Sequence, residues 1–185
     1  MTRPLDRTLW TGLLLAGLLA GCGGASDSEP QAEATPTAPI NACALLTFDE
    51  AQAIAGEPVA GLSSTLDDAR GRDPSQCVYN AGTLEAPRIL GINVRQFPSA
   101  RAAQRTFESS KSYLDNLGGG KLVEVPGLGE EAVWVGARIQ QLHVLRGDIV
   151  LVITSQGQPG KDLEAAKKIA AQAVERMAAG TAASG

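Results

Sequence analysis

Histidine is almost missing from this chain: His143 is the only one in 185 residues. Imidazole is the usual base near neutral pH, so any Ser-His-Asp or Cys-His centre would have to be built on that residue. No G-x-S-x-G turn accompanies it. Cysteine is scarce as well, with three residues and no C-x-x-C pair. One histidine and so few thiols do not make a usual zinc site. Basic residues are the minority, 16 Lys and Arg against 20 Asp and Glu. A nucleic-acid surface needs a basic stripe, and electrostatic docking on anionic lipid needs a polybasic patch, so both are disfavoured. No apolar run reaches the roughly 20 residues that a membrane-spanning helix requires.

What is present begins at the N-terminus. Arg3 and Arg7 give a positive start, Leu9 to Leu19 an apolar stretch, and Leu19-Ala20-Gly21-Cys22 closes it with small residues and a cysteine. That order predicts a bacterial lipoprotein signal peptide over residues 1–21. The Cys22 thiol is then expected to receive a diacylglyceryl group, with cleavage before Cys22 and acylation of the new amino terminus by a fatty acid such as palmitate. An ordinary secretory signal would need an A-x-A-type site, which is not obvious here. Each buried acyl CH₂ contributes about 0.8 kcal/mol, so two or three chains hold a domain firmly on a bilayer. The expected location is the bacterial cell envelope, facing the periplasm or the exterior. Gly23 in place of Asp favours the outer membrane if the host is Gram-negative.

With Cys22 lipidated, Cys43 and Cys77 remain as an even pair in an oxidising compartment, which predicts a disulfide; the alternative is two buried thiols. In the chain-entropy view such a crosslink contributes about 3–4 kcal/mol. Loss of Arg3, Arg7 and Asp6 with the signal leaves 14 basic and 19 acidic residues, a net charge of about −5. Residues 22–40 are rich in Gly, Ala, Pro, Ser, Thr and acidic side chains, and read as a flexible linker. One domain is expected over 41–179, followed by a disordered tail, 180–185.

Within that domain, Thr47-Phe48-Asp49-Glu50 is a capping box opening a short helix that stops at Gly56. Strands are expected at Val59–Leu66, Cys77–Tyr79 and Arg88–Phe97, the last with Leu90, Ile92 and Val94 on one face. Pro98 fits the first turn of a helix whose apolar stripe is Ala100, Ala103, Phe107, Ser110, Leu114 and Leu117, ended by Gly118-Gly119-Gly120. Short strands follow at Leu122–Val125, Ala132–Val135, Arg138–Leu145 and Ile149–Thr154, with Gly147-Asp148 as a two-residue hairpin turn. Ile149–Ile153 is apolar on both faces and belongs in the middle of a sheet. A last helix spans Asp162 to Ala178, burying Leu163, Ala166, Ala170, Ala173 and Met177. The expected fold is α+β, a mostly antiparallel sheet packed with helices in two layers.

Each chemistry-bearing feature has a simpler account. His143 sits alone in a strand and is expected to be structural. Asp67, Asp68 and Asp73 share a loop with Arg70 and Arg72; the spacing is not an EF-hand, and the arginines would repel calcium. Glu130 and Glu131 are adjacent near a strand, so they face opposite sides and cannot work as an acid–base pair. Val125-Pro126-Gly127-Leu128-Gly129 lacks the Lys-Ser/Thr of a P-loop. Arg146-Gly147-Asp148 is explained by its hairpin turn. Trp134, Tyr113, Tyr79 and Phe107 would either line a pocket or pack in the core, and the core is favoured. No catalytic residue, metal ligand or cofactor is expected.

Three stretches carry a resemblance. Asn41-Ala42-Cys43-Ala44-Leu45-Leu46-Thr47, Cys77-Val78-Tyr79, and Val125-Pro126-Gly127-Leu128-Gly129-Glu130-Glu131-Ala132 resemble the "CxLLT" opening, second cysteine and "VPGLGDEA" segment of small bacterial envelope lipoproteins. The resemblance is to those with the domain of unknown function numbered 3558. It implies an envelope location and an α+β domain, and supplies no catalytic residues. The expected function is therefore a lipid-anchored, non-enzymatic domain binding an envelope protein or a small apolar ligand. The alternatives are a surface-tethered hydrolase and a structural subunit of an envelope assembly.

Overall fold

The computed structural model describes residues 39–65, 74–117 and 121–180, with the side chains at 61–65 and 117 outside that description. The signal peptide, Cys22, nearly all of the linker, the Asp67–Asp73 loop, Gly118–Gly120 and tail residues 181–185 lie outside the described residues.

Two antiparallel meanders meet in the middle of one sheet. The first is β1 (Val59–Thr65), β2 (Ser75–Gly82) and β3 (Pro87–Gln96); the second is β4 (Val123–Glu124), β5 (Glu131–Val135), β6 (Gln141–Arg146) and β7 (Ile149–Gln156). Their spatial order is β1-β2-β3-β7-β6-β5-β4, and every pairing is antiparallel. Strand β7 is therefore central, as its two apolar faces require. The α+β class and the antiparallel sheet agree with the sequence reading. A bulge interrupts β1 between Ala60 and Leu62, on the outer edge.

The central strands each feed a helix, and the two helices go to opposite faces. After β3 comes α3 (Ala100–Leu117), and after β7 comes α4 (Asp162–Ala178). Helix α4 joins the short α1 (Ala42–Leu45) and α2 (Phe48–Ala55) over the larger core, which includes Leu45, Leu46, Tyr79, Leu90, Ile92, Leu142, Leu151 and Ile169. Helix α3 buries Ala103 and Phe107 against Val133, Leu145 and Val150 on the other side. Helix-on-sheet packing in two layers thus describes the β1–β3 half, while α3 adds a layer over β5–β7.

Several boundaries shift for local reasons. Helix α1 is an addition to the sequence reading: Asn41 caps it, its side chain accepting from Cys43 N. Ser99 rather than Pro98 opens α3, since its Oγ accepts from Ala102 N at 3.2 Å. Ala100 is consequently exposed, outside the stripe. The stripe of α4 is wider than expected, with Ala165 and Ile169 buried and Leu163 and Met177 at its margin. Strand β6 begins at Gln141, three residues after Arg138, and β4 is two residues long.

The N-terminal segment is tied down by polar contacts. Cys43 and Cys77 form the expected disulfide, with Cα atoms 5.1 Å apart. Ala42 N donates to Ser75 Oγ at 2.9 Å, and Tyr79 Oη donates to Leu46 O at 2.6 Å. Arg176 of α4 makes a two-pronged pair with Glu50, at 2.7 and 2.5 Å, and also donates to Leu45 O. Burial alone would raise the Glu50 carboxyl, but hydrogen bonds from Arg176 and Thr47 outweigh it and hold the pKa below its ordinary value. Buried Arg88 reaches the C-terminal carbonyls of α2, donating to Ala55 O and Ile54 O.

Candidate functional site

Among the described residues, helix α3 leaves part of its sheet face uncovered, and the strand registers show which residues occupy it. Directly opposed residues of an antiparallel sheet share a face. One row runs Asn80, Ile89, Gln156; the next Val78, Gly91, Thr154, Gln141; the third Gln76, Asn93, Val152, His143. None of these side chains is a carboxylate, ammonium or guanidinium. Between them lies a shallow hollow of about 220 Å³, lined by Gln76, Val78, Ile89, Gly91, Asn93, Val152 and Thr154, with Ile92 contributing.

Gly91 forms part of the lining, and the backbone does not require it. Its φ is ordinary, because the positive-φ glycines are others. The registers on both sides run without a bulge. A Cβ there would meet Cys77 O and Val78 Cγ2 at 3.4 Å and Thr154 Cβ at 3.9 Å, ordinary contacts. Glycine inside a strand weakens it, and is found at bulges, tight bends, or where a ligand or another backbone comes close. The regular registers exclude a bulge, and Gly91 is itself buried between Val78 and Thr154, which leaves its backbone little exposed at the floor of the hollow.

His143 ends the third row beneath a polar chain. Its Nε2 lies 3.3 Å from Gln141 Oε1, and Gln141 Nε2 is 3.4 Å from Thr154 Oγ1. Only 7% of the residue is exposed, and burial pushes its pKa down to about 4. The imidazole is neutral over the physiological range, and among the described residues no carboxylate orients it. This arrangement suits a packed, neutral side chain rather than a base poised near pH 7.

The other singled-out residues are dispersed. Tyr79 is in the larger core and Phe107 in the smaller one, on opposite faces of the sheet; Trp134 belongs to the larger core and Tyr113 is 62% exposed. These four line no common pocket. Glu130 Oε1 accepts from Gly147 N at 2.7 Å, whereas Glu131 pairs with Lys111, so the two carboxylates are engaged separately. Gly129 has a structural duty: its φ is 63°, and a Cβ would fall 2.3 Å from Leu145 O. Gly147 forms the β6–β7 turn with φ 56°. Among the described residues, no group of three or more His, Cys, Asp and Glu is placed to hold a metal ion. No described helix is long and apolar enough to cross a membrane.

The uncovered face was not singled out from sequence. Its signal was available as Gly91 in the middle of an otherwise regular strand, beside Asn93 on the same face.

No protein-family model matches this chain, and no curated protein matches it either. Among solved structures, the extracellular domain of PknH from Mycobacterium tuberculosis is similar with a TM-score of 0.47 and 17% identity, over 76% of this chain and 98% of that one.

Proposed function

We propose that the chain is a non-catalytic ligand-binding domain held at a bacterial envelope by acyl chains on Cys22, with the uncovered face around Gly91 as its binding surface. The observation that carries the binding role is the hollow lined in part by a glycine that neither φ, register nor packing demands. The anchor is supported by the Arg3–Cys22 pattern, and the extracytoplasmic setting by the Cys43–Cys77 crosslink. Oxidised pairs of this kind persist outside reducing compartments.

Two experiments test this reading. Cys22→Ala abolishes incorporation of labelled fatty acid and releases the protein from membranes; persistent lipid labelling refutes the anchor. For the binding role, Gly91→Val fills the hollow without backbone strain and abolishes complementation of a gene deletion. His143→Gln leaves complementation intact when the variant's thermal midpoint shows it folded. A folded Gly91→Val that complements fully, or a folded His143→Gln that does not, moves the function away from ligand capture at the hollow.

A further inference from the structure

We infer that the Cys43–Cys77 crosslink is a tension bypass: a pull on the tether passes into β2 without running through α2 or β1. The inference rests on reading Cys22 as the anchor only for the source of the pull. The chain enters the packed part of the fold at Ile40, just before Cys43. From Cys43 two covalent routes lead to Cys77. One is the disulfide, which joins Cα atoms 5.1 Å apart. The other is the intervening backbone, a separation of 34 residues, roughly 110–120 Å when fully extended. The gap between the two cysteines cannot open while the crosslink holds, so the longer route is never drawn taut. This is true of any pull between the tether and a point beyond Cys77, including β3 and β7.

The contents of the longer route give the bypass its effect. The rest of α1, all of α2 and β1 lie on it. So do Leu45, Leu46, Ala51 and Ala55, which are buried in the larger core. Without the crosslink the same pull would run through these residues in chain order. It would meet ties such as Tyr79 Oη to Leu46 O one at a time, and a single hydrogen bond contributes little by itself. Strand β2 is a firmer recipient. It lies inside the sheet between β1 and β3, and its register with β3 runs unbroken from Ser75 to Gly82. Cys77 sits within that ladder, opposite Ile92. Ahead of the crosslink, Ile40 N donates to Gln96 Oε1 and Ala42 N to Ser75 Oγ. Rupture of those two bonds frees residues 40–42 and leaves α2 seated.

The test is optical trapping of the full chain, with Ser26 and Leu84 each replaced by an azide-bearing residue that carries a DNA handle. Leu84 is 97% exposed in the turn between β2 and β3, so a handle there disturbs no packing. The oxidised chain is expected to show no lengthening step of roughly 110 Å up to the force at which the handles melt. The variant with both Cys43→Ala and Cys77→Ala gives a step of that size at a lower force. The bypass is overturned if the variant holds as firmly as the oxidised chain, because the non-covalent ties would then suffice. It is equally overturned if the oxidised chain lengthens by that amount. Where the variant does not fold, a phosphine reductant added to the folded wild-type chain at low tension makes the same comparison, with thiol labelling to verify reduction. A reduced chain that still holds refutes the bypass. The handle at Ser26 replaces the lipid, so the trap reads the bypass whether or not Cys22 is acylated. Fatty-acid labelling of the wild-type chain and of Cys22→Ala reads the anchor separately. An unlabelled Cys22 beside an intact bypass changes the source of the pull and leaves the device standing.

Discussion

Strands β5 and β2 belong to one sheet but are finished differently. In β5, Ala132, Val133, Trp134 and Val135 are all buried, because α4's side covers one face and α3 the other. In β2, Ser75, Cys77, Tyr79 and Ala81 are buried, while Gln76 and Asn80 between them are exposed and Val78 is half-exposed. The side-chain alternation therefore records how many helices press on each half. It also shows that the open half is not simply a solvated face: its middle rows carry amides, aliphatics and a glycine, with exposed Arg95 in the row beyond them.

The sharpest way to break this contrast is to remove the cover. Phe107 is wholly buried between α3 and the sheet. Phe107→Ala should cost about 3–5 kcal/mol in chemical unfolding, whereas Val78→Ala on the open face should cost about 1 kcal/mol or less. Equal losses would mean that the two halves are packed alike. The next largest effect concerns the opposite face, where the Cys43–Cys77 crosslink fastens α1 to β2. Reduction, or the double Cys→Ala variant, should remove about 3 kcal/mol. Mass mapping without reductant should yield the crosslinked peptide, and two free thiols in the exported protein would refute it.

At the border between the halves, His143 makes stability depend on pH. Its pKa in the fold is about 4, below its ordinary 6.5. The unfolded chain thus binds the proton first, and stability is lost as pH falls from about 6.5 towards 4. The loss is on the order of 3 kcal/mol in full, and it is absent above pH 6.5. His143→Gln should flatten that slope in denaturant titrations, and an unchanged slope would show that the imidazole is accessible to water. Tyr79→Phe should cost about 1 kcal/mol through loss of the bond to Leu46 O. The smallest effect is expected at Gly91: Gly91→Ala should change stability by no more than about 1 kcal/mol, of either sign, because the added methyl meets only ordinary contacts. A much larger destabilisation there would make the glycine a packing requirement.

Local rules carried the sequence reading a long way. Helix α4 runs from Asp162 to Ala178 as its period indicates, the Thr47–Glu50 capping box opens α2, and β7 is central because Ile149–Ile153 is apolar throughout. Helix α1 escaped because four residues are too few to show a period. The face chosen by α3 escaped for a different reason. A stripe such as Ala103, Phe107, Leu114 says that one side of the helix is buried, but not which side of a sheet receives it. That depends on Val133, Leu145 and Val150, which lie far along the chain and are apolar for this partner alone. The hollow escaped with it, since an uncovered patch exists only relative to the cover beside it. His143 was legible as a lone histidine, but its burial came from the strands on either side.

The two margins of the sheet carry a last consequence. At one end β4 is only two residues long, and at the other β1 is broken by its bulge between Ala60 and Leu62. A long, flat, uncharged border would be a template on which another copy could continue the ladder. Here one border is too brief to template and the other is kinked out of register, as bulges do. Neither margin thus offers another copy a long, regular ladder to continue, and the shorter one also places Glu124 and Glu131 at its rim.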